Sequence, residues 1–171
     1  FVADMDNDGD MDVVSATAGS GSVGPANGWI TLYENTLAYS PICTATDIAT
    51  SANGAWAVFV ADMDSDGDLD IVSASYVDDT IAWYENDGAA NPSWTAADIA
   101  TSADSPRSVF VADMDGDGDM DIVSASYNDD TIAWYENDGA ADPSWNANDI
   151  ATSTNGASSV FAADMDGDGD M

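Results

Sequence analysis

Residues 110–139 read FVADMDGDGDMDIVSASYNDDTIAWYENDG, and this stretch decides how the chain is built. Two apolar, β-branched and aromatic runs are separated by tight clusters of Asp, Gly and Asn, which is the signature of short strands joined by turns. Working outward, Ser108 to Ala112 reads as a first strand, Met120 to Tyr127 as a second and Thr131 to Glu136 as a third, with a tight turn at Asn128-Asp129-Asp130. A longer connection opened by Asn137-Asp138-Gly139 and Pro143 leads to a weaker fourth strand around Asp149 to Ala151. No stretch has helical period over a useful length, so the unit reads as a four-stranded antiparallel meander.

The same phrase returns along the chain. FVADMDNDGDM begins at Phe1, FVADMDSDGDL at Phe59, FVADMDGDGDM at Phe110 and FAADMDGDGDM at Phe161, with spacings of 58, 51 and 51 residues. Residues 1–171 therefore read as one repeat array, with repeats at 1–58, 59–109 and 110–160 and a partial repeat at 161–171. The first is longer because Ala18 to Gly28 (AGSGSVGPANG) stands where the second has the short turn Tyr76 to Asp79, and such a composition belongs in a surface loop. Opening and closing inside the motif, the sequence reads as a stretch of something longer.

One four-stranded sheet cannot bury both faces alone, and the second and third strands are apolar nearly throughout, as expected of strands covered on both sides. An all-β array of tandem blades, part of a β-propeller, is the expected architecture, with an open repeat array as the alternative.

The Asp-rich loop carries the chemistry. In Asp113-Met114-Asp115-Gly116-Asp117-Gly118-Asp119-Met120-Asp121, carboxylates stand at positions 1, 3, 5 and 9 with glycine at 6, so alternate side chains of a tight turn converge on one point. Calcium takes 6 to 8 oxygens in this way, whereas magnesium keeps its waters and avoids all-protein cages. Asp113, Asp115, Asp117 and Asp121 are the side-chain candidates, and the backbone carbonyl of Asp119 fills the seventh position. The equivalents are Asp4, Asp6, Asp8, Asp10 and Asp12 in the first loop and Asp62, Asp64, Asp66, Asp68 and Asp70 in the second. In the fourth, Asp164, Asp166, Asp168 and Asp170 are present and the ninth position falls past Met171. These loops hold 19 of the 33 acidic residues, a clustering that scattered surface charge does not produce. Two like charges 4 Å apart repel by about 1 kcal/mol in water and about 4 kcal/mol at an effective dielectric of 20, so four convergent carboxylates call for a cation. A helical EF-hand is excluded because its twelfth position, a bidentate Glu, is Ser124 within an apolar β-run. The GGxGxD nonapeptide of β-rolls is absent.

Composition narrows the function. A net charge of −32 with one base, Arg107, excludes nucleic-acid binding, which depends on Lys and Arg displacing counterions. Without histidine, and with Cys43 as the single thiol, zinc sites, disulfides and Ser/His/Asp catalysis fall away. Cys43 reads as a small buried apolar residue and Arg107 as a solvated surface residue, pairing with a neighbouring repeat's Asp being the alternative. Trp83, Tyr84, Trp134 and Tyr135 read as core between repeats, with sugar stacking as the sharper alternative. No apolar run approaches the ~20 residues of a membrane-spanning helix, so direct membrane insertion is not expected.

The order of Asp loop, following strand and Tyr-Glu-Asn resembles the FG-GAP/VCBS repeat family, the blades of integrin-type propellers and of many secreted bacterial proteins. The resemblance covers essentially the whole chain. It implies a calcium ion in the hairpin between the first two strands of each blade, an extracellular or cell-surface, bacterial setting, and a structural or adhesive role. An enzyme is not expected, because the paired carboxylates that glycoside hydrolysis would use are already explained by the metal loops. The implied partners are calcium and an extracellular protein, a polysaccharide or copies of the chain itself. A lectin-like glycan-binding propeller and a subunit of an extracellular filament are the alternatives. About seven blades close such a ring and this sequence carries three, so closure requires further sequence or other chains.

Overall fold

A computed structural model describes residues 1–19, 28–36, 42–167 and 171 of the chain. Every regular element among them is a strand, and no helix is long and apolar enough to cross a membrane. The first sheet contains β1 (Val2–Ala3), β2 (Asp12–Thr17), β3 (Trp29–Thr36) and β4 (Ile42–Ala49). The second contains β5 (Ala55–Ala61), β6 (Asp70–Ser75), β7 (Thr80–Asn86) and β8 (Trp94–Ala100). The third contains β9 (Pro106–Ala112), β10 (Asp121–Ser126), β11 (Thr131–Asn137) and β12 (Trp145–Ala151). Each sheet is an antiparallel meander in chain order, as the repeat pattern predicts.

Two boundaries differ from the sequence expectation by more than one residue. β9 opens at Pro106, whose missing N–H is tolerated because the first residue of a strand need not donate to the ladder. β12 starts at Trp145 because Trp145 to Asn148 pair with Trp134 to Asn137 of β11, although most of β12 is exposed and lacks an apolar alternation. Ladder pairing, not burial, makes that strand.

Neighbouring sheets pack face to face as blades. Every residue of β6 and of β10 is buried, whereas Val13 of β2, at the first blade's open face, is 41% exposed where its counterparts Ile71 and Ile122 are at 0%. One apolar core lies between the first two blades around Met5, Val14, Leu32, Ile71 and Tyr84, and a second between the last two around Met63, Val72, Trp83, Ile122 and Tyr135. Trp83 and Tyr84 are therefore core between blades, in line with the first reading of the aromatic pairs. The phenylalanines that open the repeats form a ladder, Phe1 to Phe59 to Phe110 to Phe161, with ring centroids 5.2, 5.1 and 4.5 Å apart. At the blade end away from the Asp loops, the connection between second and third blades is gripped from both sides: Ser105 N–H donates to Asp79 Oδ1 at 3.0 Å and Asp104 N–H to Asp129 Oδ2 at 3.3 Å.

Candidate metal centre

Each Asp loop joins the first two strands of its blade, β1 to β2, β5 to β6 and β9 to β10. Its shape is set by short-range bonds from backbone to carboxylate. The carboxylate at position 1 accepts from the glycine N–H at position 6, Asp4 from Gly9 at 3.0 Å, Asp62 from Gly67 at 3.1 Å and Asp113 from Gly118 at 3.0 Å. Positions 3 and 5 each accept from the N–H two residues on, as in Asp115 from Asp117 at 3.2 Å and Asp117 from Asp119 at 3.0 Å. The wrap needs two left-handed residues: Gly9, Gly67 and Gly118 have φ of 95, 99 and 101°, and position 4 is left-handed too, at 59° in Asn7, 62° in Ser65 and 78° in Gly116. Only glycine tolerates the larger values without strain.

Position 9 differs in kind. Asp12, Asp70 and Asp121 are buried, and both oxygens of each accept a backbone N–H. Asp70 takes Met63 N–H at 3.0 Å from its own loop and Asn86 N–H at 2.8 Å from the end of β7. Asp12 takes Met5 and Asn35 at 2.9 and 2.8 Å, and Asp121 takes Met114 and Asn137 at 3.0 and 2.8 Å. Each carboxylate ties its loop to the third strand.

Carboxylate oxygens converge within 4.8 Å of one another in Asp4, Asp6 and Asp8, in Asp62, Asp64 and Asp66, and in Asp113, Asp115 and Asp121. Asp117 lies outside the third group. The side chains of Asp68 and Asp119, at position 7, turn away from the loop and fill the space beside Gly88 and Gly139, which are left-handed and leave no room for a Cβ. Asp10, the same position in the first loop, likewise stands outside that loop's group. In the fourth loop Gly167 N–H reaches Asp164, beside Asp166, while Asp168 and Asp170 lie outside the described residues.

The donor set fits a hard cation. Asp4 Oδ1 is buried and accepts no hydrogen bond, an orphaned carboxylate oxygen within its group. Burial, followed by neighbouring carboxylates and opposed by a backbone hydrogen bond, holds Asp6, Asp64 and Asp115 above the usual carboxylate range. Burial also raises Asp121 and pushes Asp70 up to about 6, even though both accept backbone N–H bonds that favour the charged form. Such a group of acids holds its charge poorly alone and readily beside a dication. Sequence reasoning missed a further carboxylate. Glu34, Glu85 and Glu136, from the recurring Tyr-Glu-Asn, lie within electrostatic reach of Asp6, Asp64 and Asp115 respectively. The exact recurrence of that tripeptide was the available signal.

The FG-GAP-like repeat family matches three tandem segments, residues 4–73, 62–124 and 113–171, which together span nearly the whole chain. The chain belongs to the FG-GAP-like repeat family. A solved structure described as the basis of specific recognition of non-reducing terminal N-acetylglucosamine by an Agrocybe aegerita lectin is similar in fold, with a TM-score of 0.55 at 18% identity. The likeness covers 91% of this chain and 38% of that one, so the FG-GAP-like array described here spans well under half of its length. A search of curated proteins gives no match.

Two equivalent hollows lie between successive FG-GAP-like blades. One, of about 390 Å³, is lined by Ser75, Asp78, Thr80, Tyr84 and Asp98 against residues 48–52 of the preceding blade. The other, of about 510 Å³, repeats it with Ser126, Asp129, Thr131, Tyr135 and Asp149 against residues 99–103. Burial, then partner carboxylates, raises both the Asp78 carboxyl and the Tyr84 phenol, and Asp78 Oδ1 accepts no hydrogen bond. Arg107 is not the solvated residue expected, and among the described residues no carboxylate pairs with it. It is half-buried, with its guanidinium 3.7 Å from the Tyr127 ring centre and 5.6 Å from that of Trp56 on the preceding blade. Exposed aromatic faces at this junction make the cation–π contact available. The Cys43 side chain lies outside the described residues.

Proposed function

We propose that this FG-GAP-like array is a calcium-rigidified module that serves as a structural or adhesive element outside the cell or at its surface. The observation that carries the reading is the repeated convergence of carboxylate oxygens in three loops, one of which leaves a buried oxygen with no hydrogen-bond donor. Positions 1, 3 and 5 would hold the ion in the first two loops and positions 1, 3 and 9 in the third, each with the position 7 carbonyl. When bound, calcium supplies positive charge that cancels the mutual repulsion of the loop acids. The residues themselves hold the loop in a binding shape through the position 1 to position 6 bonds, and bury its ninth carboxylate. A module so built acts by binding and by rigidity, without catalysis.

Calorimetric titration with calcium tests this, together with thermal melts in excess calcium and in chelator. About one ion per complete loop and a higher melting temperature in calcium are expected, because an ion that binds the native state alone stabilises it by about 2.7 kcal/mol at a hundred times its Kd. Identical melts would overturn the reading.

A second reading, glycan binding, draws on the paired hollows, whose carboxylates and hydroxyls suit a polyol, and on the lectin of similar fold. Trp83 takes no part in it, since it is buried between blades. A glycan array probed with and without calcium separates the two readings, and silence on every sugar would remove the second.

A further inference from the structure

Asn86 and Asn137 stand at the same phase of their repeats and do the same thing. Asn86 is buried, and its Nδ2 donates across the blade junction to the carbonyl of Met5, 3.0 Å away, and within its own blade to the carbonyl of Leu69 at 3.1 Å. Its backbone N–H donates to Asp70 Oδ1 at 2.8 Å and its Oδ1 accepts from Gly88 N–H at 3.0 Å, so every one of these polar groups is used. Asn137 repeats the arrangement with Met63 O at 2.9 Å, Met120 O at 3.1 Å, Asp121 Oδ1 at 2.8 Å and Gly139 N–H at 3.0 Å.

The position of the accepting carbonyls matters. Met5 lies between Asp4 and Asp6, and Met63 between Asp62 and Asp64, so each is the hinge between two acids of a loop group. Its N–H is held by the ninth carboxylate of its own loop and its C=O by the asparagine of the next blade. Bonds therefore run without a gap from Met114 N–H through Asp121 and Asn137 to Met63, then through Asp70 and Asn86 to Met5 and Asp12.

We infer that this Asp–Asn relay couples cation binding in successive loops, so that the repeats fill cooperatively. The inference rests on the calcium reading. Ordering one loop fixes its ninth Asp, which fixes the asparagine that holds the hinge of the preceding loop, so the preceding acids lose less freedom when they bind. By linkage the preceding loop favours binding in the following one by the same factor. Loops one and two also touch at their rims, Asn7 Nδ2 donating to Asp68 Oδ1 at 3.0 Å, whereas Ser65 stands at the Asn7 position in the second loop. The junction of loops two and three is thus the cleaner test of Asn137.

The glycine amides at position 6, Gly9, Gly67 and Gly118, give one magnetic-resonance reporter per loop in a calcium titration of the whole chain. Asp115→Asn weakens the third loop directly. If the relay couples the loops, the Gly67 midpoint moves to roughly fivefold higher calcium in that variant, the lower end of ordinary coupling. In an Asn137→Ala background the same substitution leaves the Gly67 midpoint where it was. A Gly67 midpoint indifferent to Asp115→Asn in the otherwise native chain overturns the relay, as does a shift of equal size in both backgrounds. Should Asn137→Ala fail to fold, Asp115→Asn alone still decides between coupled and independent loops. Glycine amides that all ignore calcium sink the metal reading itself, an outcome distinct from independent responses.

Discussion

Aspartate fills five places in each of the three complete nine-residue loops, yet the acids at positions 1, 3 and 5 and the acid at position 9 live in different surroundings. Asp66 is exposed and uses one oxygen to accept Asp68 N–H at 2.9 Å, whereas Asp70, four residues on, is 1% exposed and has both oxygens committed to backbone N–H groups. The rim carboxylates shape a turn and stay open to an ion. The anchor carboxylate closes the hairpin onto the third strand. One residue type thus serves two purposes, and the difference lies in which hydrogen bonds are already made.

The largest expected effect breaks the anchor. Asp70→Ala strands the N–H groups of Met63 and Asn86 in the interior, and each unsatisfied buried donor costs about 1 to 3 kcal/mol, so a loss of roughly 2 to 6 kcal/mol is expected. Asp66→Ala, on the rim, should change metal-free stability by about 0.5 kcal/mol or less while impairing the second loop's ion. Urea unfolding of both variants in chelator checks this. Equal destabilisation would erase the distinction between rim and anchor.

Acid sharpens the same comparison. Asp70 is pushed up to about 6 by burial, and burial raises Asp121 in the same direction, so in the metal-free chain both bind protons more tightly folded than unfolded. That contribution is complete below the ordinary carboxylate range, near pH 4, and is lost as pH rises through about 6. The metal-free melting temperature should therefore rise when pH falls from 7 to 5. Relief of the −32 charge acts in the same direction. In saturating calcium the trend should reverse, because protons then compete with the ion for the loop acids. A metal-free melting temperature that falls between pH 7 and 5 would show that the anchor is charged at no cost.

What the sequence makes legible follows from how far apart the partners are. The meander, the hairpin that carries each Asp loop and the left-handed glycine at position 6 depend on residues within about one blade, and the repeated phrase exposes them. The Asn86 bond to Met5 and the Phe ladder join residues 81 and 51 to 58 positions apart, across a junction between blades. Nothing in one repeat says which residue of the next will face it. Tyr-Glu-Asn recurs visibly, but its Glu points charge toward the loop and its Asn reaches into the preceding blade, two roles that a strand pattern does not separate. Position 9 shows a subtler limit: its place in the loop is plain in the sequence, whereas its burial and two backbone donors come from the third strand closing over it.

The smallest effect asks whether the division between committed and open groups extends to the other end of the blade. There the chain's one base, Arg107, lies on Tyr127 of its own blade and Trp56 of the one before, and Trp56 meets Tyr76 edge-on with centroids 5.5 Å apart. In a molecule of net charge −32 one way for a single cation to act is through the general field, but a field acting over several ångströms of water is screened by salt, while a cation seated on a ring is much less so. Arg107→Ala should lower stability by about 0.5 to 1 kcal/mol, the ordinary worth of an exposed cation–π contact. The loss should persist from low to high salt, and Arg107→Lys should recover part of it by restoring charge without the planar stack. Melts of the three chains at two ionic strengths measure this. A loss that disappears in high salt would assign Arg107 to the field, leaving the ring contacts as passive cover, and would confine the buried-anchor logic to the Asp-loop end of the blade.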